Sequence, residues 1–161
     1  MDPVESALFD QIAVGSAASL INLIIHAVLL GAVVWTVRRL AMSDSFVPHF
    51  LQYTIVIVST GTLLVAGHFS EVLLWAGTYQ AVGAAPSGTD LIYFAFGNYT
   101  TLGYGDIVPV REWHLLGPMT ALNGIMLIGW STALIIEVLR RAGHAPAQTA
   151  TPNPDLTKPA S

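Results

Sequence analysis

The chain has no cysteine, few charges and no basic segment, and each shortage removes a class of protein. Without Cys there is neither a disulfide framework nor a thiolate metal site. Charged residues make up 10% of the sequence, against about 25% in an average soluble domain. So few charges cannot clothe a water-facing surface. With 53% hydrophobic residues and a mean hydropathy of +0.63, a membrane protein is the default. Six Lys and Arg and a net charge of −4 argue against nucleic acid as a partner. The first residues carry Asp2, Glu5 and Asp10 but no basic stretch, so no cleaved signal peptide is expected. The five His are scattered without metal-ligand spacing, and no cofactor is expected.

What the chain does have is three long apolar runs. Val14 to Val37 contains no acid or base and ends at Arg38-Arg39, about the ~20 residues that cross the hydrocarbon layer. Asn22 and His26 lie four apart on one face, placed to bond each other or a neighbouring helix. A voltage sensor needs repeated Arg or Lys, which this run lacks. After the polar turn Ser43 to Pro48, a second run extends from His49 to about Tyr79, long enough to tilt or to project. Trp75 and Tyr79 near its end fit an interfacial aromatic belt. His68 and Glu71 fall three apart, hence on one helix face, and a carboxylate turned to lipid is costly, so this face should point into protein. The expectation is a structural pair near the outer surface, or that Glu71 braces the loop between the second and third runs from behind or tunes its pH response. The third run, Trp113 to Leu139, closes with Arg140-Arg141; Gly117, Gly124 and Gly129 allow close helix contact or bending. Asn123 is read as an interhelical hydrogen bonder. Residues 142–161 lack hydrophobic periodicity and read as a disordered cytoplasmic tail.

Between the second and third runs lies a segment too short to span. Gly83, Pro86, Ser87 and Gly88 break the helix, and Ser87 or Thr89 is placed to cap the next one. Asp90 to Thr100 suits a short re-entrant helix. It leads into Thr100-Thr101-Leu102-Gly103-Tyr104-Gly105-Asp106. Non-helical backbone at membrane depth is tolerated only where protein buries it or water lines it. Successive carbonyls on a strand point to opposite sides. Turning them all one way requires alternate residues in left-handed backbone, which Gly103 and Gly105 adopt at little cost. A row of carbonyls can replace the water of a cation without burying a net charge. The C-terminal end of the short helix carries partial negative charge toward the same point.

This string resembles the signature of the potassium channel family, with Leu102 where Val is commonest. The resemblance runs from about Phe50 to Arg141 and is nearest to prokaryotic channels of the two-helix pore type, also grouped with two-pore-domain channels. It implies an all-α membrane protein with three transmembrane helices, a re-entrant pore helix and a selectivity-filter loop, assembled as a homotetramer in a lipid bilayer. It divides the chain into 1–49 (an extra helix and a cytoplasmic turn), a pore domain over 50–141, and the tail. It makes K+ the permeant ion, bound at Thr101, Leu102, Gly103 and Tyr104, with Gly105 completing the loop. The side chains of Leu102 and Tyr104 are expected to face supporting protein, Tyr104 reaching a neighbouring pore helix. Thr100, Asp106, Tyr93 and Glu71 are expected to support the loop. Relatives often carry a Trp pair and a Glu in the pore helix; Tyr93, Phe94 and Gly97 stand there instead, so the bracing of Asp106 must differ.

Arg38, Arg39, Arg140 and Arg141 are four of the six basic residues and close the first and third spans, which end on one side of a three-span protein. The positive-inside rule makes that side cytoplasmic and the N-terminus external, in a multi-pass protein of the plasma membrane. Met126, Ala133 and Glu137 share a helix face, placing Glu137 either in an acidic ring at the inner mouth or in a pair with Arg140 or Arg141. The expected function is passive potassium conduction. The alternatives are a non-selective cation channel and a non-conducting interaction subunit. His68 with Glu71 lacks a nucleophile, so no enzyme is expected.

Overall fold

The computed structural model describes residues 3–41, 48–103 and 105–143. Tyr104, the turn at 42–47 and the tail at 144–161 lie outside the described residues. Four α-helices follow in order: α1, Pro3–Ala41; α2, His49–Val82; α3, Leu91–Tyr99; and α4, Leu116–Gly143, preceded by a 3-10 turn at Arg111–Trp113. Among the described residues there is no strand. Ala7–Leu40, Phe50–Val82 and Arg111–Arg140 are long and apolar enough to cross a membrane, and the fold is that of an all-α, multi-pass membrane protein.

Each long helix buries one narrow stripe. In α1 it is Gln11, Gly15, Ala18, Asn22, His26 and Val33, at helical spacing. α2 contributes Leu64, Glu71, Val72, Trp75 and Tyr79, and α4 contributes Leu116, Thr120, Asn123, Leu127 and Ser131. The outward faces are apolar as well: Phe9, Val28, Phe50, Val65 and Leu122 are all exposed. The inversion follows from the solvent. Lipid accepts apolar faces, so the polar side chains are the ones that gain by turning inward.

Two hydrogen bonds set the order of the helix ends. Gln52 Nε2 donates to the Leu40 carbonyl (2.8 Å), so α2 starts beside the end of α1. Gln11 Oε1 accepts from the Leu115 amide (2.8 Å), so α4 starts beside the first part of α1. α1 and α4 therefore run in the same direction with α2 opposed, and Arg38, Arg39 and Arg140 gather at one end.

α1 extends beyond the apolar run Val14 to Val37 at both ends, and Gln11 inside it meets the Leu115 amide just before α4. Two expectations are corrected here. Trp75 and Tyr79 are not interfacial anchors. Both are fully buried, the indole donating to Asn123 Oδ1 (3.1 Å) and the phenol paired with Thr120 Oγ1 (2.6 Å). The cap of α3 is neither Ser87 nor Thr89 but Asp90, whose Oδ1 accepts from the amides of Ile92 (3.0 Å) and Tyr93 (3.1 Å).

Candidate functional site

α3 is nine residues long and is buried through Phe94, Ala95 and Tyr99, which pack with Trp75, Tyr79 and Leu116. It ends abruptly. Thr100 N donates to the Phe96 carbonyl and Thr101 N to the Asn98 carbonyl, and the Thr100 hydroxyl also returns to Phe96 O (2.7 Å). The chain then doubles back beside the helix, with Gly103 N on the Gly97 carbonyl (3.3 Å). Its return toward α4 is stitched by Val110 N to the Ala84 carbonyl (2.9 Å).

The loop has positive φ at every second residue: Thr101 (59°), Gly103 (46°) and Gly105 (81°). Sequence reasoning placed the two glycines and missed Thr101. A β-branched residue in this region is an outlier, and the strain of about 1–3 kcal/mol persists only where the surroundings impose it. Thr100, Thr101, Leu102, Gly103, Gly105 and Asp106 are all exposed, although the helix that delivers them is buried. Leu102 is 54% exposed within the single chain. Tyr93 is also exposed, whereas its neighbour Phe94 is buried. The ring contact expected of Tyr104 lies outside the described residues.

Behind α3 lies a polar network that ties the helices together. Glu71 is fully buried, about two thirds of the way along α2 and ~16 Å from its C-terminal end. Its carboxylate accepts from His26 Nδ1 (2.8 Å), from His68 Nδ1 (3.0 Å) and from the Tyr99 hydroxyl. His68 Nδ1 also lies 2.9 Å from that hydroxyl, and its Nε2 is 2.9 Å from Ser131 Oγ. One turn away, Asn22 Nδ2 donates to Asn123 Oδ1 (3.0 Å) and toward the Glu71 carbonyl (3.3 Å). The expected bracing role of Glu71 thus has a physical route: it holds Tyr99, the residue from which the loop departs.

Gly124 completes the support. Any Cβ at this position would overlap the Tyr99 carbonyl oxygen, so α4 touches the end of α3 backbone to backbone. Gly129 has open space where a Cβ would stand and plays no such part within the subunit.

At the opposite end, Met126 and Ala133 are exposed on α4, and Glu137 accepts from Arg140 at Nε (3.1 Å) and Nη2 (2.8 Å). Of the two roles expected for Glu137, the arginine pair is formed.

Sequence spacing did not bring His26 to His68 and Glu71, because His26 is 45 residues from Glu71 and the three meet only when α1 packs on α2. The polar residues in otherwise apolar runs were the available signal.

Fold and site together define a three-span helical membrane protein with a short helix and a strained, exposed loop inserted between the second and third spans. Residues 67–141 match the model of a protein family described as ion channel. That segment runs from the middle of α2 through α3 and the loop to the end of α4. α1 lies outside the match, and so does the start of α2 from Phe50. No curated protein and no solved structure matches the chain.

Proposed function

We propose that the chain is one subunit of a potassium-selective channel that conducts passively through a homotetrameric pore. In this reading, main-chain oxygens of Thr101, Leu102, Gly103 and Tyr104 from four copies face a common axis. Gly105 and Asp106 lie toward the outer mouth. The observation that carries the reading is the alternation of left-handed residues at Thr101, Gly103 and Gly105 in an exposed loop on a buried helix. A lone subunit leaves the backbone of that loop exposed among apolar surfaces, which lipid does not tolerate. Copies arranged about an axis, with ions and water between them, resolve this. They also supply the missing cover for Leu102 and Tyr93. The match to an ion-channel family model over the same segment supports the reading. With Arg38, Arg39 and Arg140 at one end, the positive-inside rule puts that end in the cytoplasm and the N-terminus outside. The loop then enters from outside a plasma membrane.

The test is rubidium uptake by the purified protein in liposomes. Uptake that barium blocks and excess sodium does not compete supports the proposal. Equal passage of sodium converts it to a non-selective cation channel. No flux under any ionic condition leaves a pore-like fold that does not conduct.

A further inference from the structure

The conduction reading leaves one cluster of side chains unused for any ligand, and it stands where all four helices meet. His26 comes from α1, His68 and Glu71 from α2, Tyr99 from the end of α3 and Ser131 from α4. His26 and Glu71 are completely buried, and the side chain of His68 is 22% exposed. One ligating atom from each of these three residues lies within 4.8 Å of the others.

We propose that this cluster binds a divalent transition-metal ion of the zinc class, held by the two imidazoles, the Glu71 carboxylate and the Tyr99 oxygen. Three arguments converge. The first is charge. Among the described residues no Lys or Arg pairs with Glu71, so a carboxylate sits in a membrane-embedded core with no permanent positive partner. A divalent ion bound by one carboxylate and one phenolate with two neutral imidazoles is a site of zero net charge. Binding then releases the phenol proton of Tyr99 to solvent.

The second argument is geometry. Zinc takes four nitrogen or oxygen ligands at about 2.0–2.2 Å in a tetrahedron, whose edges are then roughly 3.3 Å. Three of the separations are 2.8 Å from His26 Nδ1 to the carboxylate, 3.0 Å from His68 Nδ1 to it and 2.9 Å from His68 Nδ1 to the Tyr99 hydroxyl, and the ligand atoms of the two histidines and Glu71 all fall within 4.8 Å of one another. A small expansion makes room for the ion. Imidazole and carboxylate donors favour zinc and its neighbours over magnesium or calcium.

The third is the outer shell. A histidine that ligates through one nitrogen characteristically donates through the other. With Nδ1 of His68 on the metal, its Nε2–H meets Ser131 Oγ at 2.9 Å, on α4, whereas Nε2 of His26 is buried without a hydrogen-bond partner among the described residues. Such a site would clamp α1, which lies outside the family match, to the residue from which the loop departs. Metal binding does not require the chain to conduct, so this proposal and the potassium reading fail separately.

Tag-free, full-length protein in detergent is titrated with Zn2+ by calorimetry, with melting followed in parallel. The expected result is one Zn2+ per subunit and a raised melting temperature. Both persist in the triple variant His49→Gln/His114→Gln/His144→Gln, which removes every other histidine. His26→Gln and His68→Gln each weaken binding on the order of tenfold or more. Should the single variants misfold, Co2+ added to the triple variant reports directly, since a tetrahedral nitrogen and oxygen site gives an intense visible spectrum. Wild-type protein that takes up no Zn2+, or Zn2+ uptake that vanishes in the triple variant, overturns the proposal.

Discussion

The Tyr99 hydroxyl donates to the Glu71 carboxylate, joining the last residue of α3 to the buried stripe of α2. Tyr99 sits between two constraints, with its side chain held by Glu71 and its backbone pressed by Gly124. The next residue begins the exposed loop. The position of that loop therefore depends on groups far from it in the sequence.

Tyr99→Phe removes the hydroxyl while keeping the ring. A hydrogen bond to a charged group is worth about 1.5–3 kcal/mol, so unfolding in mixed detergent should shift by that amount. Rubidium flux in liposomes should fall as well, because the loop loses its anchor. Unaltered stability and flux would show that Glu71 does not brace α3.

Gly124→Ala places a methyl group against the Tyr99 carbonyl and should abolish assembly or flux. Gly31→Ala is the control, since nothing lies within 4 Å of a Cβ there. In a helix interior that change should stabilise by about 0.8–1 kcal/mol. Size-exclusion chromatography and flux on the two variants separate a packing clash from a general intolerance of α-helical glycine replacement.

Asn123→Ala withdraws the acceptor shared by Asn22 Nδ2 and Trp75 Nε1. Two buried donors are then left without it, at about 1–3 kcal/mol each. Trp75→Phe loses only one of these bonds and should cost less. A melting-temperature ranking of wild type, Trp75→Phe and Asn123→Ala checks the order.

Gly103→Ala forces a side chain into positive φ, a penalty of roughly 1–2 kcal/mol concentrated in the loop. The helical circular dichroism should be unchanged while discrimination between rubidium and sodium is lost. Intact selectivity would remove the loop from the conduction path.

Glu137→Gln breaks the pair with Arg140, whose side chain is 69% exposed. Pairs this exposed contribute about 0–1 kcal/mol, so stability should hardly move. Single-channel conductance should fall, or block by internal cations should change, if the carboxylates stand near the inner mouth. Unchanged conductance would assign Glu137 to the arginine alone.

Much of this architecture was legible from composition and runs. Three apolar stretches, the first and third closed by arginine pairs, mark three helices, because lipid requires long, uncharged, internally hydrogen-bonded segments. The short segment from Asp90 and the paired glycines at 103 and 105 mark a short helix and an unusual loop, since few residues tolerate that backbone. Helix ends were less legible. α1 reaches back to Pro3, and Gln11 inside it meets the Leu115 amide just before α4, a contact no local signal encodes.

The residues around the loop were a matter of tertiary structure. Trp75 and Tyr79 carry the composition of an interfacial belt, and only the packing of α2 on α4 turned them inward to Asn123 and Thr120. The left-handed Thr101 follows from the closing of the loop, not from any preference of threonine. The sequence by itself determined that polar groups such as His26 and Glu71 had to find partners, because an apolar solvent offers none. Which partners they found was decided when residues distant in the chain were brought within hydrogen-bonding reach by the packing of α1, α2, α3 and α4.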